Sequence, residues 1–411
     1  MSNILFFSMP FWGHINPNIE LLKTLRTKHN ILAASSKKFE KVFQELGIPM
    51  IEYPKLVSDF FGTGVLNSNE NYVKEYYASQ YDYNVLSKIN SLNNSVVEEV
   101  YCSLIEKIEE FSPDIIICDS QAFWGPVFSI KCRKKYICIE SATNMSDSSQ
   151  DKYFLEYIDR VISKEVGSNL DSLEILNVFN KLERKQKKFY AKFSGCRLKD
   201  YYLPEKNYMY MTKDFQVGSE EFTEDISFLG FNMSVEKIDK QDKIFVTRGT
   251  ITDFYNLDIL KRILSYLDVS SNFKITATKG NVASLKDEIS NFENNENIFI
   301  KDSVNQIKEL SESRLMISHG GITGVREAIM CETPMIIVPA TFHCYQVGLA
   351  IEKNNVGILL KKYPLDKKEL NEAVNKIIHC DEYYNNVAKL KTKMIIEHSI
   401  GDICDYIDEL G

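Results

Sequence analysis

Ile4-Leu5-Phe6-Phe7-Ser8 runs through Met9-Pro10-Phe11-Trp12-Gly13-His14-Ile15-Asn16 into Pro17, after which Ile19, Leu22 and Leu25 recur at helical spacing. A short, unbroken apolar run closed by Pro and Gly predicts a strand buried on both faces, and the spacing beyond it predicts a helix from about Pro17 to Lys28. A strand that hands over to a helix through a glycine-containing loop opens a parallel β-α-β unit. The unit recurs. Strand 31–35 leads to helix 38–46 and a short strand near 50–53, and later come helix 96–111, strand 114–119, helix 124–132 and strand 136–139. Lys243-Ile244-Phe245-Val246-Thr247 restarts the cycle, with helix 257–267, strands 273–277, 298–300 and 315–318, helix 321–330 and strand 334–338. The expected fold class is α/β, with two Rossmann-like domains facing a central cleft.

A length of 411 residues suits two to three domains at about 150 each. The expected division is a first domain over 1–217, a linker over 218–242 where charge is mixed and no period persists, and a second domain over 243–411. The last helix is a candidate to return to the first domain. With 44% hydrophobic and 26% charged residues the chain reads as a soluble globular protein. The 49 basic and 57 acidic residues give a net charge of −8, which leaves no broad positive field, so nucleic acid is not an expected partner. Apolar stretches such as 335–340 fall far short of the roughly 18 residues that a membrane span needs. No Lys or Arg precedes Lys23 and Pro10 cuts the first apolar run, so a cytoplasmic protein without a secretory leader is expected. The nine cysteines form no C-x-x-C pair and their count is odd, which suits reduced, buried thiols. Neither His/Cys ligand spacing nor a D-x-D triplet is present, so no metal is expected.

Three constellations can carry chemistry. His14 sits where the first strand hands over to the first helix, beside the crevice of such a sheet, and an imidazole there can accept a proton near pH 7. Asp119 ends Ile115-Ile116-Ile117-Cys118, another carboxyl end, where a carboxylate can orient the imidazole and stabilise its protonated form. A packing histidine and an ordinary turn aspartate are the plainer readings of either position alone; the pairing raises the functional one. The third is Ser318-His319-Gly320-Gly321-Ile322-Thr323-Gly324-Val325-Arg326-Glu327. Its glycines let backbone N–H groups approach a ligand, and the helix start favours negative charge, which makes a plausible diphosphate cradle. His319 can donate to a phosphate oxygen, Glu327 can accept from ribose hydroxyls, and Arg248 at another strand end offers a charge-assisted contact. A solvated surface arginine fits Arg248 equally well.

In order and spacing, Gly13-His14-Ile15-Asn16-Pro17, Asp119, Phe228-Leu229-Gly230, Gly249-Thr250, His319-Gly320-Gly321 through Glu327, Pro334, Pro339, Gln346 and Gly357 resemble one family along nearly the whole chain. It is the macrolide and UDP-glycosyltransferase-like group of GT-B-fold, nucleotide-sugar-dependent glycosyltransferases. The resemblance implies an inverting, hexosyltransferase-like and metal-independent transfer with His14 as general base and Asp119 as its partner. It implies a nucleoside-diphosphate sugar, UDP or TDP, as co-substrate, with no other cofactor. The donor-binding positions it implies are Arg248, Gly249, Thr250, Ser303, Val304, Gln306, His319, Gly320, Gly321, Thr323, Gly324, Glu327, Tyr345 and Gln346. Three departures stand out. Where the family has Trp-x-Pro-Gln, whose Trp stacks on the base, this chain has Ser303-Val304-Asn305-Gln306. The phosphate-binding Ser is Gly324, leaving Thr323, His319 and Arg248 to hold the diphosphate. The acidic-residue-plus-Gln pair that reads sugar hydroxyls is Tyr345-Gln346, in a loop about two residues longer after Pro339.

On the acceptor side, Phe11 and Trp12 join an aromatic-rich segment, 59–83, that holds Phe60, Phe61, Tyr72, Tyr76, Tyr77, Tyr81 and Tyr83. Of these, Phe60, Phe61, Tyr76 and Tyr77 are the candidates to line a pocket for a small aromatic or lipophilic acceptor, against an equal case for packing. Segment 180–199 is basic, with Lys181, Arg184, Lys185, Lys187, Lys188 and Lys192, and Phe179, Leu182, Phe189 and Phe193 lie near helical spacing. A solvated face is the favoured reading over contact with anionic lipid. Oligomeric state has no signal. The leading expectation is a glycosyltransferase. The alternatives are a non-catalytic relative that binds a nucleotide or sugar as partner or sensor, and a nucleotide-sugar epimerase of the same fold, against which the His14 loop speaks.

Overall fold

The structure, a computed structural model, describes residues 1–62, 83–141, 147–162, 171–198, 204–222, 226–248, 254–267, 273–278, 292, 295–339, 341–362 and 364–410. Strands β1 (Asn3–Phe7), β2 (Asn30–Ser35), β3 (Met50–Glu52), β4 (Ile115–Asp119), β5 (Lys135–Glu140), β6 (Lys206–Met209) and β7 (Ile226–Phe228) form a parallel sheet in the order β3-β2-β1-β4-β5-β6-β7. Strands β8 (Gln241–Thr247), β9 (Lys274–Thr278), β10 (Ile298–Lys301), β11 (Ser313–Ser318), β12 (Met335–Ile337) and β13 (Gly357–Leu359) form a second, β10-β9-β8-β11-β12-β13, also parallel. Helices of the first half are α1 (Trp12–Ile15), α2 (Ile19–Arg26), α3 (Glu40–Glu45), α4 (Lys55–Gly62), α5 (Tyr83–Phe111), α6 (Gly125–Cys132), α7 (Asp147–Tyr157) and α8 (Ser172–Ser194). Those of the second are α9 (Phe254–Tyr266), α10 (Gln306–Glu312), α11 (Ile322–Met330), α12 (Phe342–Lys353), α13 (Lys367–Ile378), α14 (Asp381–Ile396) and α15 (Ile400–Leu410).

Successive side chains of a strand point to opposite faces, and β4 shows why residues 115–118 are all apolar. Ile115 and Ile117 pack with Ile4, Phe6, Leu22 and Leu25 on one side, while Ile116 and Cys118 pack with Leu5, Phe7, Val127 and Phe128 on the other. Each fully buried isoleucine contributes about 1.5–3 kcal/mol. In both sheets strand order reverses beside the first strand, between β1 and β4 and between β8 and β11, and the carboxyl ends there adjoin in register, Phe7 with Cys118 and Thr247 with Ser318. Ligand loops of open α/β sheets converge at such points.

Two sequence expectations need correction, and a third question is decided. Trp12–Ile15 is one turn of helix, closed by His14 and Ile15 N–H groups donating to the Phe11 carbonyl, where a loop was expected. The stretch expected as linker contributes β7, a seventh strand paired with β6. The apolar stripe of α8 is spent on packing: Leu182, Tyr190 and Ala191 are buried and Phe189 and Phe193 lie on the first-sheet core, while Lys181, Lys185, Lys187, Lys188 and Lys192 are exposed. That arrangement is a solvated face. Among the described residues no helix is long and apolar enough to cross a membrane. Helix α15 packs on α2, with Ile400, Ile403, Cys404 and Ile407 in the first-sheet core and Asp408 bonded to Lys28 Nζ at 2.7 Å and His29 Nε2 at 2.8 Å.

Candidate active site

His14 Nδ1 lies 2.8 Å from Asp119 Oδ2, with 15% of the His14 side chain and none of the Asp119 side chain exposed. The aspartate is held in place by two further donors. Ser141 Oγ donates to Oδ2 at 3.1 Å and the Gln121 N–H donates to Oδ1 at 2.9 Å. The His14 carbonyl is held as well, by Asn18 Nδ2 at 2.7 Å, and Tyr210 Oη donates to Asn18 Oδ1 at 3.1 Å. Burial, the largest influence, disfavours the imidazolium, but the charge and hydrogen bond of Asp119, with Glu140 adding to them, win, so the His14 pKa is raised; Arg326 opposes the rise. With Nδ1 donating to the carboxylate, Nε2 is left as the lone-pair nitrogen.

In the second sheet, β11 ends before His319-Gly320-Gly321 and α11 begins. Gly320 has φ +96, and a Cβ there would stand 2.9 Å from Ile337 Cγ2 and 3.0 Å from the Cys344 carbonyl oxygen, so only glycine makes this turn. Gly321 caps α11 without a side chain, which leaves its first N–H groups for a ligand. A Cβ on Gly321 would sit 2.9 Å from His319 Nε2. Burial, then the neighbouring His343 and Arg248, lower the His319 pKa to about 4, so the ring is neutral at pH 7. Its Nδ1 has no hydrogen-bond partner among the described residues. Arg248, 3% exposed, follows β8 at the adjoining strand end. Burial raises the Glu327 pKa, and the Gln306 amide, which donates to Glu327 Oε2, works the other way. Thr323 Oγ1 donates to the Gly13 carbonyl at 3.4 Å, so α1 and the start of α11 meet.

Residues 215–399 match the glycosyltransferase family 28 C-terminal domain. The chain is 23% identical over 405 residues to YojK, an uncharacterized UDP-glucosyltransferase of Bacillus subtilis (strain 168), covering 93% of this chain and 91% of that protein. The NDP-glycosyltransferase YjiC of the same organism is 23% identical over 408 residues, covering 95% and 92%. Spinosyn rhamnosyltransferase SpnG shares the fold. Its complex with spinosyn aglycone superposes with a TM-score of 0.66 at 12% identity over 99% of this chain and 100% of that one. Its complex with thymidine diphosphate gives 0.65 at 11% identity over 96% of each. The chain is a glycosyltransferase of the GT-B type.

In this glycosyltransferase His14 pairs with Asp119, Thr323 meets Gly13 beside it, and His343 lies near both His14 and His319, so the two halves' functional candidates are neighbours. Tyr345 does not join them. It is fully buried, its ring 5.5 Å from that of Tyr157 and its hydroxyl beside Glu156, so it has no face toward a donor sugar. The residue missed by sequence reasoning is His343, which bonds Gln346 one helical turn later on α12. Burial and then the charge of nearby His14 lower its pKa to about 4. Ser303 and Val304 line a cavity of about 330 Å³ with Lys243, Lys301, Asn305, Lys308, Glu309 and Glu312. Gly324 has a physical reason: a Cβ there would stand 3.3 Å from Gln306 Nε2 and press on the Gln306–Glu327 pair. Phe11 lies 6.1 Å from the His14 ring and Trp12, 44% exposed, stacks on Phe39, with Lys38 Nζ over the rings of Phe11 and Phe39. Gly249, Thr250, Tyr76 and Tyr77 lie outside the described residues, and the side chains of Phe60 and Phe61, on α4, are likewise not described.

Proposed function

We propose that the protein transfers a sugar from a UDP- or TDP-sugar to a small aromatic or lipophilic acceptor with inversion at the anomeric carbon. The observation that carries this reading is the 2.8 Å His14–Asp119 pair set opposite the uncapped start of α11. His14 Nε2 takes the acceptor hydroxyl proton as the acceptor oxygen bonds the anomeric carbon, and the bond from that carbon to the diphosphate oxygen breaks. The departing diphosphate gathers at the α11 N-terminus, where His319, Gly320 and Gly321 supply donors. Gln346 and His343 meet the sugar, Glu327 with Gln306 meets the ribose, and Arg248 neutralises phosphate charge. Phe11 and Trp12 offer the acceptor an apolar wall beside His14. YojK's name and the nucleotide bound to SpnG support UDP and TDP as the donor nucleotides.

The test is to incubate the protein with UDP- and TDP-sugars and a panel of phenolic and macrocyclic alcohols, and to read the product's anomeric configuration by NMR. An inverted glycoside is expected. A retained one, or nucleotide binding without transfer to any acceptor, overturns the reading. The second of those results favours a binding relative, to which the Gln306 amide already bonded to Glu327 also points.

A further inference from the structure

Arg326 of α11 is 1% exposed, one residue before Glu327. Burial lowers its pKa only to about 10, so the guanidinium is charged at neutral pH. Nη2 donates to the Ser141 carbonyl at 3.2 Å and Nη1 to the Tyr210 carbonyl at 3.4 Å, while Cζ lies 5.3 Å from the centre of the Phe231 ring. Nε has no partner among the described residues. A buried charge served by two neutral carbonyls, with Nε unmet, is a poor way to stabilise a fold, since an apolar side chain of the same length fills the space without the desolvation cost. Both acceptors belong to the opposite sheet, just beyond β5 and β6, and both lead to one residue. Ser141 Oγ donates to Asp119 Oδ2, which holds the His14 ring; Tyr210 Oη donates to Asn18, whose amide holds the His14 carbonyl.

We propose that Arg326 is a positioning residue: it ties the donor-side helix to both hydrogen-bond chains that hold His14, and so fixes the imidazole relative to the diphosphate cradle. The proposal rests on the reading of His14 as the base. Among the described residues, the charged groups and imidazole around His14 are Asp119 from β4, Glu140 from β5, Arg326 from α11 and His343 from α12.

The test is an NMR titration of the His14 imidazole, assigned by its loss in His14→Gln, in the wild type, Arg326→Met and Arg326→Lys, alongside kcat and KM for the nucleotide sugar. Removing the positive charge in Arg326→Met relieves the imidazolium of a like charge, so the His14 midpoint moves up. The melting temperature is held or raised. kcat falls about ten- to a hundredfold with KM unchanged, the scale of a misplaced reacting group. Arg326→Lys keeps the charge and hence the midpoint, but one ammonium cannot serve both carbonyls, so kcat still falls. A folded Arg326→Met with the wild-type midpoint, or Arg326→Lys with wild-type kcat, overturns the proposal. Should Arg326→Met not fold, the lysine variant decides by the same criterion. The titration needs no turnover, so a moved midpoint in a protein that transfers nothing overturns the proposed function alone.

Discussion

His14 holds its proton to a higher pH than a free imidazole, because Asp119 and Glu140 outweigh burial. A base must be neutral to act, so kcat/KM is expected to rise with pH through a value above the ordinary 6.5. Asp119→Asn removes the leading raising influence and the tautomer lock. The limb is then expected to move to lower pH while the plateau falls by up to about 10⁴-fold, read in a pH–rate profile. Stability follows the opposite course. With the folded pKa raised, the His14–Asp119 contribution is complete below the unfolded value near 6.5 and is lost as pH climbs through the folded pKa. His319 and His343, lowered to about 4, favour the fold when neutral, and that contribution fades as pH falls from 6.5 toward 4. An arriving diphosphate raises the His319 pKa, so nucleotide binding at pH 5 is expected to take up protons. Calorimetry in buffers of different ionisation enthalpy reads this uptake, and none at that pH contradicts the phosphate contact.

Gly320 belongs to the scale of elements, since its φ of +96 turns β11 into α11. Gly320→Ala strains the backbone and meets Ile337 and the Cys344 carbonyl, so it is expected to cost about 1–3 kcal/mol in denaturant unfolding and to weaken nucleotide affinity as well. Wild-type values for both contradict the cradle. The elements legible from sequence are those whose burial forces a pattern: residues 115–118 of β4 and 315–317 of β11 are unbroken apolar runs because both faces of each strand are buried. Helix α1 was not legible because a single turn, Trp12-Gly13-His14-Ile15, is too short to show a period. Strand β7 was not legible because three half-buried residues at a sheet edge carry no continuous apolar run. Tyr345 is turned into the core for a geometric reason. Tyr345 adjoins Gln346 in sequence, but neighbours on a helix point about 100° apart, and the residue three positions earlier, His343, shares the Gln346 face.

The two sheets are joined by more than a connecting segment. Gly230, at φ +60, passes so close to the end of α14 that a Cβ would stand 2.2 Å from the Met394 carbonyl oxygen, and the Ser399 N–H donates to the Leu229 carbonyl. Helix α15 then returns the chain to α2. Ile407→Ala, deep in the first-sheet core though late in the chain, is expected to cost about 2–5 kcal/mol and to lower the melting temperature of the whole molecule in one transition. A separate transition for each half contradicts that coupling. The most direct measurement is paired: transfer rate and nucleotide affinity in His14→Ala and in His319→Ala. The predicted result is that His14→Ala loses about 10²–10⁴-fold in transfer and binds nucleotide as the wild type does, while His319→Ala binds it more weakly. Undiminished transfer by His14→Ala is the contradicting result.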